Sequence, residues 1–259
     1  MKLVSLNIYG GEIFENLMPF IREHGPTTNF FCFQEVYDSP HAIVSRGTRM
    51  NILKTLKEAL PEFECFFDPT QDRIDDDGAV DFESSMGQAT FVRKPLPVQK
   101  HGFVFVYRER NSMQGDDWST LPSGFQYIQV RNGGRFLTIV NEHGIAIPGD
   151  KLDTPARIVQ SEKIVEFLEA AKGAKIVCGD FNLDPKTESI KILEKNLRNL
   201  ISEFRTPTTR SALNRTKYPP NEVQLFADYM FVSQDINVKN FQVPDVPISD
   251  HLPLVLEFS

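Results

Sequence analysis

Short strand-like runs distributed over the whole sequence are the feature that most constrains the fold of this chain. Each run is either wholly apolar or alternates polar with apolar residues, and helical patterns are fewer. Many strands and few helices predict sheets that pack face to face with helices on the outside, an α/β sandwich. The strand-like runs are residues 2–8, 30–33, 88–92, 102–107, 125–130, 136–141, 175–178, 227–232, 237–243 and 252–258.

Helical periodicity is clearest in segments between these runs. Pro155 follows Thr154, and Pro185 follows Asp184, so both prolines are predicted to lie in the first turn of a helix behind a capping residue. No internal repeat or linker divides the sequence, and we expect one domain over residues 1–259. The predicted helices are residues 13–23, 49–60, 155–171 and 185–200.

The charge balance of the chain is acidic. Asp and Glu total 35 against 28 Lys and Arg, a net charge of −7, and the pI is about 5.3. This balance gives no overall attraction to nucleic acid or to an anionic membrane. Binding of a polyanion would therefore have to be local.

The sequence shows neither a leader segment nor a membrane span. It enters an alternating strand pattern at Lys2, and no apolar run approaches the roughly 20 residues that a spanning helix needs. Cys32, Cys65 and Cys178 show no paired spacing, which favours a reducing compartment. We expect a monomeric, cytoplasmic protein with no membrane span.

Polar residues follow three of the strand-like runs, where strands of a sandwich deliver side chains to a common rim. Asn7 ends the first run, Glu35 follows the second, and His143 comes after the run at 136–141. Each has an ordinary alternative taken alone. Asn7 could form a turn, Glu35 could be solvated, and His143 could be a hydrogen-bonded packing residue.

The segment from Gly179 to Asn182 is more specific. A buried type of strand is followed by a glycine turn and then by Asp180, Phe181 and Asn182. Strand alternation projects Asp180 and Asn182 to the same side, with Phe181 in the core.

A carboxylate and an imidazole stand side by side at Asp250 and His251, directly before the last strand-like run. Such a pair can hold a cation and handle a proton at one place, as phosphate ester hydrolysis requires. Asp228 lies among apolar and aromatic residues in another run and needs a partner. His251 is the natural candidate, because an aspartate that accepts from one ring nitrogen fixes the tautomer and leaves the other nitrogen for substrate.

Two further regions are candidates for substrate contact. Arg205, Arg210, Arg215 and Lys217 form the most basic local stretch, which is either a solvated loop or a surface beside the site. Trp118 lies between two strands and either stacks on a base or lipid or caps the edge of the core.

An acidic segment at residues 68–85 has little pattern and invites a calcium-site interpretation. An EF-hand with its glycine at Gly78 would need ligands at Arg73 and Ser84, which cannot supply the required carboxylates. We therefore predict a solvated surface loop.

As a set, these segments resemble the endonuclease/exonuclease/phosphatase superfamily, whose fold is DNase I-like. The resemblance implies a four-layer α/β sandwich of two packed, mostly antiparallel sheets flanked by helices. The motifs stand in the family's order over residues 3–258. They are the Asn7 strand, Gln34–Glu35, the strand-ending His143, Gly179 to Asn182, Asp228–Tyr229 and the terminal Ser249 to His251.

The resemblance also implies site roles. Glu35 would be the principal ligand of a divalent metal, with Asn7 and Asp250 completing its shell directly or through water. Carboxylate and carbonyl oxygens suit Mg²⁺ or Mn²⁺. Arg157 and Gln160 match a pattern common after the first histidine in relatives, and we interpret them as an anchor of their helix to the sheet rather than as catalytic residues.

The same resemblance assigns the catalytic groups. Asp180 and Asn182 would position the attacking water and the scissile phosphate. Asp228 would orient His251, which would hold the phosphate or activate the water, and His143 would protonate or stabilise the leaving oxygen. The sequence leaves open which histidine is the acid.

Three functions remain open at this point. The first is a metal-dependent phosphodiesterase acting on nucleic acid, DNA or RNA, or on a nucleotide-like ester. The second is a phosphomonoesterase or a lipid or inositol headgroup phosphatase of the same fold. The third, a non-catalytic binding module, is disfavoured because every expected metal and proton-transfer position is filled.

Overall fold

The computed structural model describes residues 1–216 and 223–259, in which two six-stranded sheets are the main feature. The strands are β1 (Lys2–Asn7), β2 (Phe30–Asp38), β3 (Val44–Ser45), β4 (Thr48–Arg49), β5 (Phe63–Asp72), β6 (Ile74–Asp75), β7 (Gly78–Ala79), β8 (Ser85–Arg93), β9 (Val98–Tyr107), β10 (Ser123–Asn132), β11 (Arg135–His143), β12 (Ala174–Asp180), β13 (Arg198–Asn199), β14 (Asp228–Val232), β15 (Val238–Gln242) and β16 (Leu254–Phe258).

The two sheets are mostly antiparallel and pack on each other. The first has the order β15-β16-β1-β2-β8-β5 and the second β13-β14-β12-β11-β10-β9. Only β1 with β2 and β11 with β12 pair in parallel within these sheets. Strand β1 contacts β12, and β2 contacts both β11 and β12, so the carboxyl ends of the four central strands meet at one rim.

Helices cover the outer faces of both sheets. Leu17 and Leu53, from the first two helices, pack in one apolar cluster with residues of the first sheet, while Ile164 and Ile190 pack with the second sheet. None of the helices in the described part of the chain is long and apolar enough to cross a membrane. The helices are α1 (Phe14–His24), α2 (Ile52–Ala59), α3 (Pro155–Ala170), α4 (Glu188–Glu194), α5 (Leu200–Glu203) and α6 (Ala212–Arg215).

Alternation along the central strands explains why their sequences are almost wholly apolar. Leu3 belongs to the cluster between the sheets, whereas its neighbour Val4 belongs to the cluster under α1 and α2. Phe30 and Phe31 divide in the same way on β2. Both faces of these strands are covered, as in a four-layer arrangement. The predicted fold class is thereby confirmed.

The prediction of a first-turn proline is confirmed at Pro155 and is wrong at Pro185. The Thr154 hydroxyl oxygen accepts a hydrogen bond from the backbone N–H of Arg157 at 3.2 Å, as an N-cap does. Helix α4 instead begins after Thr187, which is its N-cap. Pro185 lies in the preceding turn, in which the Thr187 N–H donates to the carbonyl of Asp184.

The prediction of a solvated loop at residues 68–85 is also wrong. Its ends belong to β5 and β8, and its middle forms the β6–β7 hairpin. Asp75 is fully buried, and one of its carboxylate oxygens accepts from Ser45 Oγ at 2.6 Å and from Arg46 Nε at 2.8 Å. Pairing with a cation and a hydroxyl makes burial of this carboxylate tolerable.

Candidate active site

Asn7 lies where the two sheets meet, at the end of β1. Its side-chain amide donates to Glu35 Oε1 at 2.7 Å and to Asp180 Oδ2 at 3.2 Å. Its own oxygen accepts from the backbone N–H of Tyr9 at 3.0 Å. One buried amide therefore joins the carboxylates contributed by the two sheets.

A β-bulge places Glu35 at the rim. The pairing of β2 with β8 skips from Phe33 to Val36, and Glu35 has a positive φ of 53°. Gln34, the other residue of the bulge, donates to Asn141 Oδ1 on the opposite sheet at 2.6 Å. Bulges re-aim side chains next to active sites. The Glu35 carboxylate consequently lies 3.6 Å from His143 Nε2.

The turn after β12 brings Asp180 and Asn182 to the same side. Gly179 has a φ of 134°, and a Cβ there would lie 2.1 Å from the Glu142 carbonyl oxygen, so only glycine fits. Asp180 Oδ1 accepts from the Asn182 N–H at 2.9 Å, and Asn182 Nδ2 donates to the Gly144 carbonyl at 3.2 Å. Phe181 is fully buried between them.

His251 is held between three carboxylates. Its Nδ1 lies 2.9 Å from both oxygens of Asp228, and its Nε2 lies 3.6 Å from Asp180 Oδ2 and 3.7 Å from Asp250 Oδ1. The His251 Nδ1–H donates to Asp228, whereas Nε2 faces Asp180, Asp250 and the Arg210 guanidinium, which contacts it.

The pKa values of His251 and Asp228 are both raised, for different reasons. Burial and Arg210 oppose charge on His251, but Asp228, Asp250 and Asp180 prevail and raise its pKa to about 9. Burial raises the pKa of the Asp228 carboxyl, although the His251 imidazole works against that rise. We take His251 as the cation and Asp228 as the anion of this pair, because their hydrogen bonds favour both charges.

The pKa values of His143 and Asp180 are both lowered, in contrast to those of His251 and Asp228. Burial lowers the pKa of His143, so its imidazole is neutral at pH 7. Burial works against ionisation of Asp180, but His251, Arg210, His143 and Lys151 outweigh it and lower the pKa of Asp180 to about 2. The site therefore holds one cationic and one neutral histidine around a permanently ionised aspartate.

A cleft of about 750 Å³ opens over these groups. Asn7 and Asp228 lie buried beneath it, with 0% and 3% of their surface exposed. The predicted site residues that line it are Glu35, His143, Asp180, Asn182, Arg210, Asp250 and His251.

Some candidates lie elsewhere. Arg205 is exposed and does not line the cleft, and Arg215 pairs with the exposed Asp245 at 3.3 Å. Trp118 packs against the apolar cluster under α1 and α2 and also does not line the cleft. Lys217 is outside the described residues. Among the described side chains that were predicted to contact substrate, only Arg210 lines the cleft.

Arg157 and Gln160 anchor helix α3, but their partners lie mainly in the loop between β11 and α3. The fully buried Arg157 donates to the carbonyls of Ile145 at 3.0 Å and Leu152 at 2.7 Å. Gln160 accepts from the Ile145 N–H at 2.9 Å. Together they fix the segment between β11 and α3.

Three residues near the site were not found from the sequence. Ser249 Oγ donates to the Asn7 carbonyl at 2.7 Å and accepts from the His251 N–H at 3.2 Å, which ties the last strand's entry to β1. Lys151 lines the cleft and donates to Asn182 Oδ1 and, at 3.2 Å, to the Ala146 carbonyl. Burial lowers the pKa of Lys151 to about 8. Asp76 also lines the cleft.

The donor set of the cleft fits a divalent cation. Burial, followed by the neighbouring Asp76 and Asp250, raises the pKa of Glu35 to about 8, and a bound cation would favour the ionised carboxylate there. Donor atoms of Glu35, His143 and Asp180 lie within 4.8 Å of one another. Donor atoms of Asp180, Asp228 and His251 lie equally close together, but the 2.9 Å contacts between His251 and Asp228 are better explained as hydrogen bonds.

Glu142 has a buried carboxyl group and does not line the cleft. Neither of its oxygens has a hydrogen-bond partner among the described residues. Burial, with a smaller effect of Asp180, raises its pKa from 4.5 to about 8. The folded protein therefore binds a proton at neutral pH that the unfolded chain does not bind.

We expect Glu142→Gln to remove a pH dependence of stability. Because the pKa of Glu142 is raised on folding from 4.5 to about 8, wild-type stability falls as pH rises between those values. The slope is about 1.4 kcal/mol per pH unit. Thermal unfolding should give similar Tm values for both proteins near pH 5 and a higher Tm for the variant at pH 9. Glu64→Gln, at an exposed position on β5, is the control. Parallel pH profiles for Glu142→Gln and wild type would contradict the prediction.

Comparison with known proteins finds a family model that covers most of the sequence. The model of the Endonuclease/Exonuclease/phosphatase family matches residues 4–251. No curated protein matches the sequence significantly.

Solved structures show the same fold at low identity. An endonuclease/exonuclease/phosphatase from Bacteroides vulgatus is 17% identical with a TM-score of 0.68, covering 100% of this chain and 98% of that one. A Bacteroides thetaiotaomicron mannosyl-6-phosphatase is 19% identical with a TM-score of 0.70, covering 100% and 99%. D. rerio TDP2 complexed with single-strand DNA product is 13% identical with a TM-score of 0.65, covering 100% and 98%.

Proposed function

Because the chain belongs to the endonuclease/exonuclease/phosphatase family, whose members hydrolyse phosphoester bonds, we propose that its cleft hydrolyses a phosphate ester by metal-assisted attack of water. The main support is the placement of His251, held by Asp228 at 2.9 Å and lying 3.6 Å from Asp180. A cationic imidazole beside an ionised carboxylate can neutralise phosphate charge and orient water at one place.

The metal-holding residues of this proposal are Glu35, Asp250 and Asn7. Members of the family generally depend on a divalent metal, and the oxygen donors present suit Mg²⁺ or Mn²⁺. When bound, the ion supplies positive charge at the phosphoryl oxygens.

The chain's own residues would do the rest of the chemistry. Asp180, ionised at all physiological pH values because its pKa is lowered to about 2, would accept a hydrogen bond from the attacking water and orient it. His251, whose pKa is raised to about 9, carries a proton at pH 7 and would stabilise the phosphate or protonate the leaving oxygen. Neutral His143 is the less suitable acid. Asn182 would help to position the phosphate.

The substrate proposed from the sequence is a phosphodiester in a nucleic acid or nucleotide-like molecule. The neighbour D. rerio TDP2, complexed with single-strand DNA product, is consistent with it. A phosphomonoester is the second candidate, and the neighbouring mannosyl-6-phosphatase is an example in this fold. The cations Lys151 and Arg210 in the cleft favour this second candidate.

Metal removal tests the proposal. Hydrolysis of aryl phosphomonoesters, aryl phosphodiesters and labelled single- and double-stranded DNA and RNA should require Mg²⁺ or Mn²⁺ and stop with a chelator. Adding the ion should also raise the Tm, because a ligand that binds only the folded state stabilises it.

Glu35→Gln should abolish both the activity and the metal-induced rise in Tm. The exposed Glu62→Gln is its control and should retain both. Activity that survives chelation would rule out the metal-dependent mechanism.

A further inference from the structure

Two cationic side chains reach the cleft from segments outside the family motifs. Lys151 belongs to the segment between β11 and α3, and Arg210 to the segment before α6. Both line the cleft, and both contribute to lowering the pKa of Asp180. They therefore lie close to the carboxylate that we propose orients the water.

Among the described residues, neither cation donates a hydrogen bond to a carboxylate. Lys151 Nζ donates to two neutral oxygens, those of Asn182 and Ala146, and makes no ion pair with a carboxylate of the described residues. Arg210 is only 8% exposed, and its nearest carboxylate contact, Asp250 Oδ2 at 3.7 Å, is longer than a hydrogen bond. Lys151 is partly buried and Arg210 is buried, and a cation shielded from water without a hydrogen-bonded anion is costly, so an anionic ligand would offset that cost.

The segment that carries Lys151 lines the cleft and is fixed by contacts to two other segments. Arg157 holds it from below through the carbonyls of residues 145–152. Above, Gln224 Nε2 donates to the Gly149 carbonyl, which joins this segment to a second one that lines the cleft.

Among the described residues, the cleft offers little aromatic surface on which single-stranded bases could stack. Tyr9 is its only aromatic lining residue among those described, and Trp118 lies elsewhere. Stacking on aromatic side chains is the usual way in which unpaired bases are held without sequence readout. The described lining therefore suits a small polar molecule better than a strand.

We infer that Lys151 and Arg210 bind two anionic oxygens of one phosphate group, so that the cleft selects small phosphate monoesters over internal diesters of nucleic acid. A monoester carries close to two negative charges at pH 7, because its second pKa is about 6, whereas a diester carries one. Two cationic side chains therefore complement the charge of a monoester better than that of a diester. The inference rests on the proposed phosphoesterase function. In the reaction, water adds to phosphorus, the ester P–O bond breaks, and the leaving oxygen takes a proton, which gives an alcohol and inorganic phosphate.

The test compares p-nitrophenyl phosphate with bis(p-nitrophenyl) phosphate in wild type, Lys151→Gln and Arg210→Gln, with Mg²⁺ or Mn²⁺. Wild type should prefer the monoester. Loss of a charge-assisted hydrogen bond should lower kcat/KM for the monoester by about 10- to 100-fold, mainly through KM, and for the diester by less than about threefold. Lys163→Gln is the matched control, since Lys163 also donates only to carbonyls but lies outside the cleft.

Binding of inorganic phosphate, measured by calorimetry, separates this inference from the proposed function. Weaker phosphate binding by Lys151→Gln that is restored in Lys151→Arg would support the cation pair, whether or not the esters are hydrolysed. If wild type hydrolyses neither ester, the proposed function is overturned. Preference for the diester or for labelled DNA, or equal losses on both esters, would overturn the inference and leave the function standing. If Lys151→Gln does not fold, Lys151→Met and Arg210→Gln are compared in the same way.

Discussion

Asp180→Asn is expected to lower kcat for phosphate ester hydrolysis by about 10²- to 10⁴-fold with little change in KM. The Asp180 carboxylate accepts from Asn7, lies 3.6 Å from His251 Nε2, and stays ionised because surrounding cations lower its pKa to about 2. An asparagine keeps the shape and the acceptor for the Asn182 N–H but loses the charge. The attacking water would lose the anionic acceptor that orients it.

The control for this variant comes from the same loop. Asp184→Asn changes a carboxylate that accepts from the Lys186 N–H at 2.9 Å and does not line the cleft. It should retain wild-type kcat. A loss of activity in Asp180→Asn with an unchanged Tm would show that the defect is chemical and does not come from unfolding. A kcat within tenfold of wild type would remove Asp180 from the proposed mechanism.

The predictable part of the site comes from local periodicity. Alternation along β12 predicts that Asp180 faces the site, while the turn that follows, with a φ of 56° at Asn182, returns Asn182 to the same side and leaves Phe181 fully buried. Asp228 needed a partner because its strand is buried, and His251 lies 2.9 Å from it. These inferences succeed because a strand's period of two fixes side-chain direction wherever the strand itself is recognised.

Long-range contacts account for what the sequence did not predict. The acidic segment around Asp75 reads as solvated, yet Asp75 is buried because Ser45 and Arg46 reach it from a hairpin 29 to 30 positions earlier. Lys151 is a lone lysine in a loop, and its place in the cleft depends on how Arg157 holds that loop. Neither contact leaves a periodic signal.

Strand β5 was not predicted for a different reason. It contains Pro69 and several charged residues, and its pairing with β8 is irregular between Pro69 and Gln71. It lies at the edge of the first sheet, where proline and polar residues are tolerated. Its formation is decided by the long antiparallel partner β8 rather than by its own pattern.

Asp228→Asn is expected to lower kcat by about 10²- to 10⁴-fold, because it changes the orientation and the protonation of His251. Asp228 accepts from Nδ1 at 2.9 Å, which fixes the tautomer, and asparagine can present an N–H there instead. Asp228 also helps to raise the pKa of His251 to about 9, so its loss should lower that pKa. Activity that needs the imidazolium is lost as pH rises through the His251 pKa, and this alkaline limb should therefore move to lower pH in the variant.

A pH–rate profile of kcat measures both effects in one experiment. Asp245→Asn is the control, because Asp245 pairs with Arg215 on the surface and should leave the profile unchanged. A variant whose kcat falls while the alkaline limb stays in place would assign Asp228 to tautomer control alone. A limb that moves to higher pH would contradict the cationic role of His251, since removal of a neighbouring negative charge can only make the imidazolium less stable.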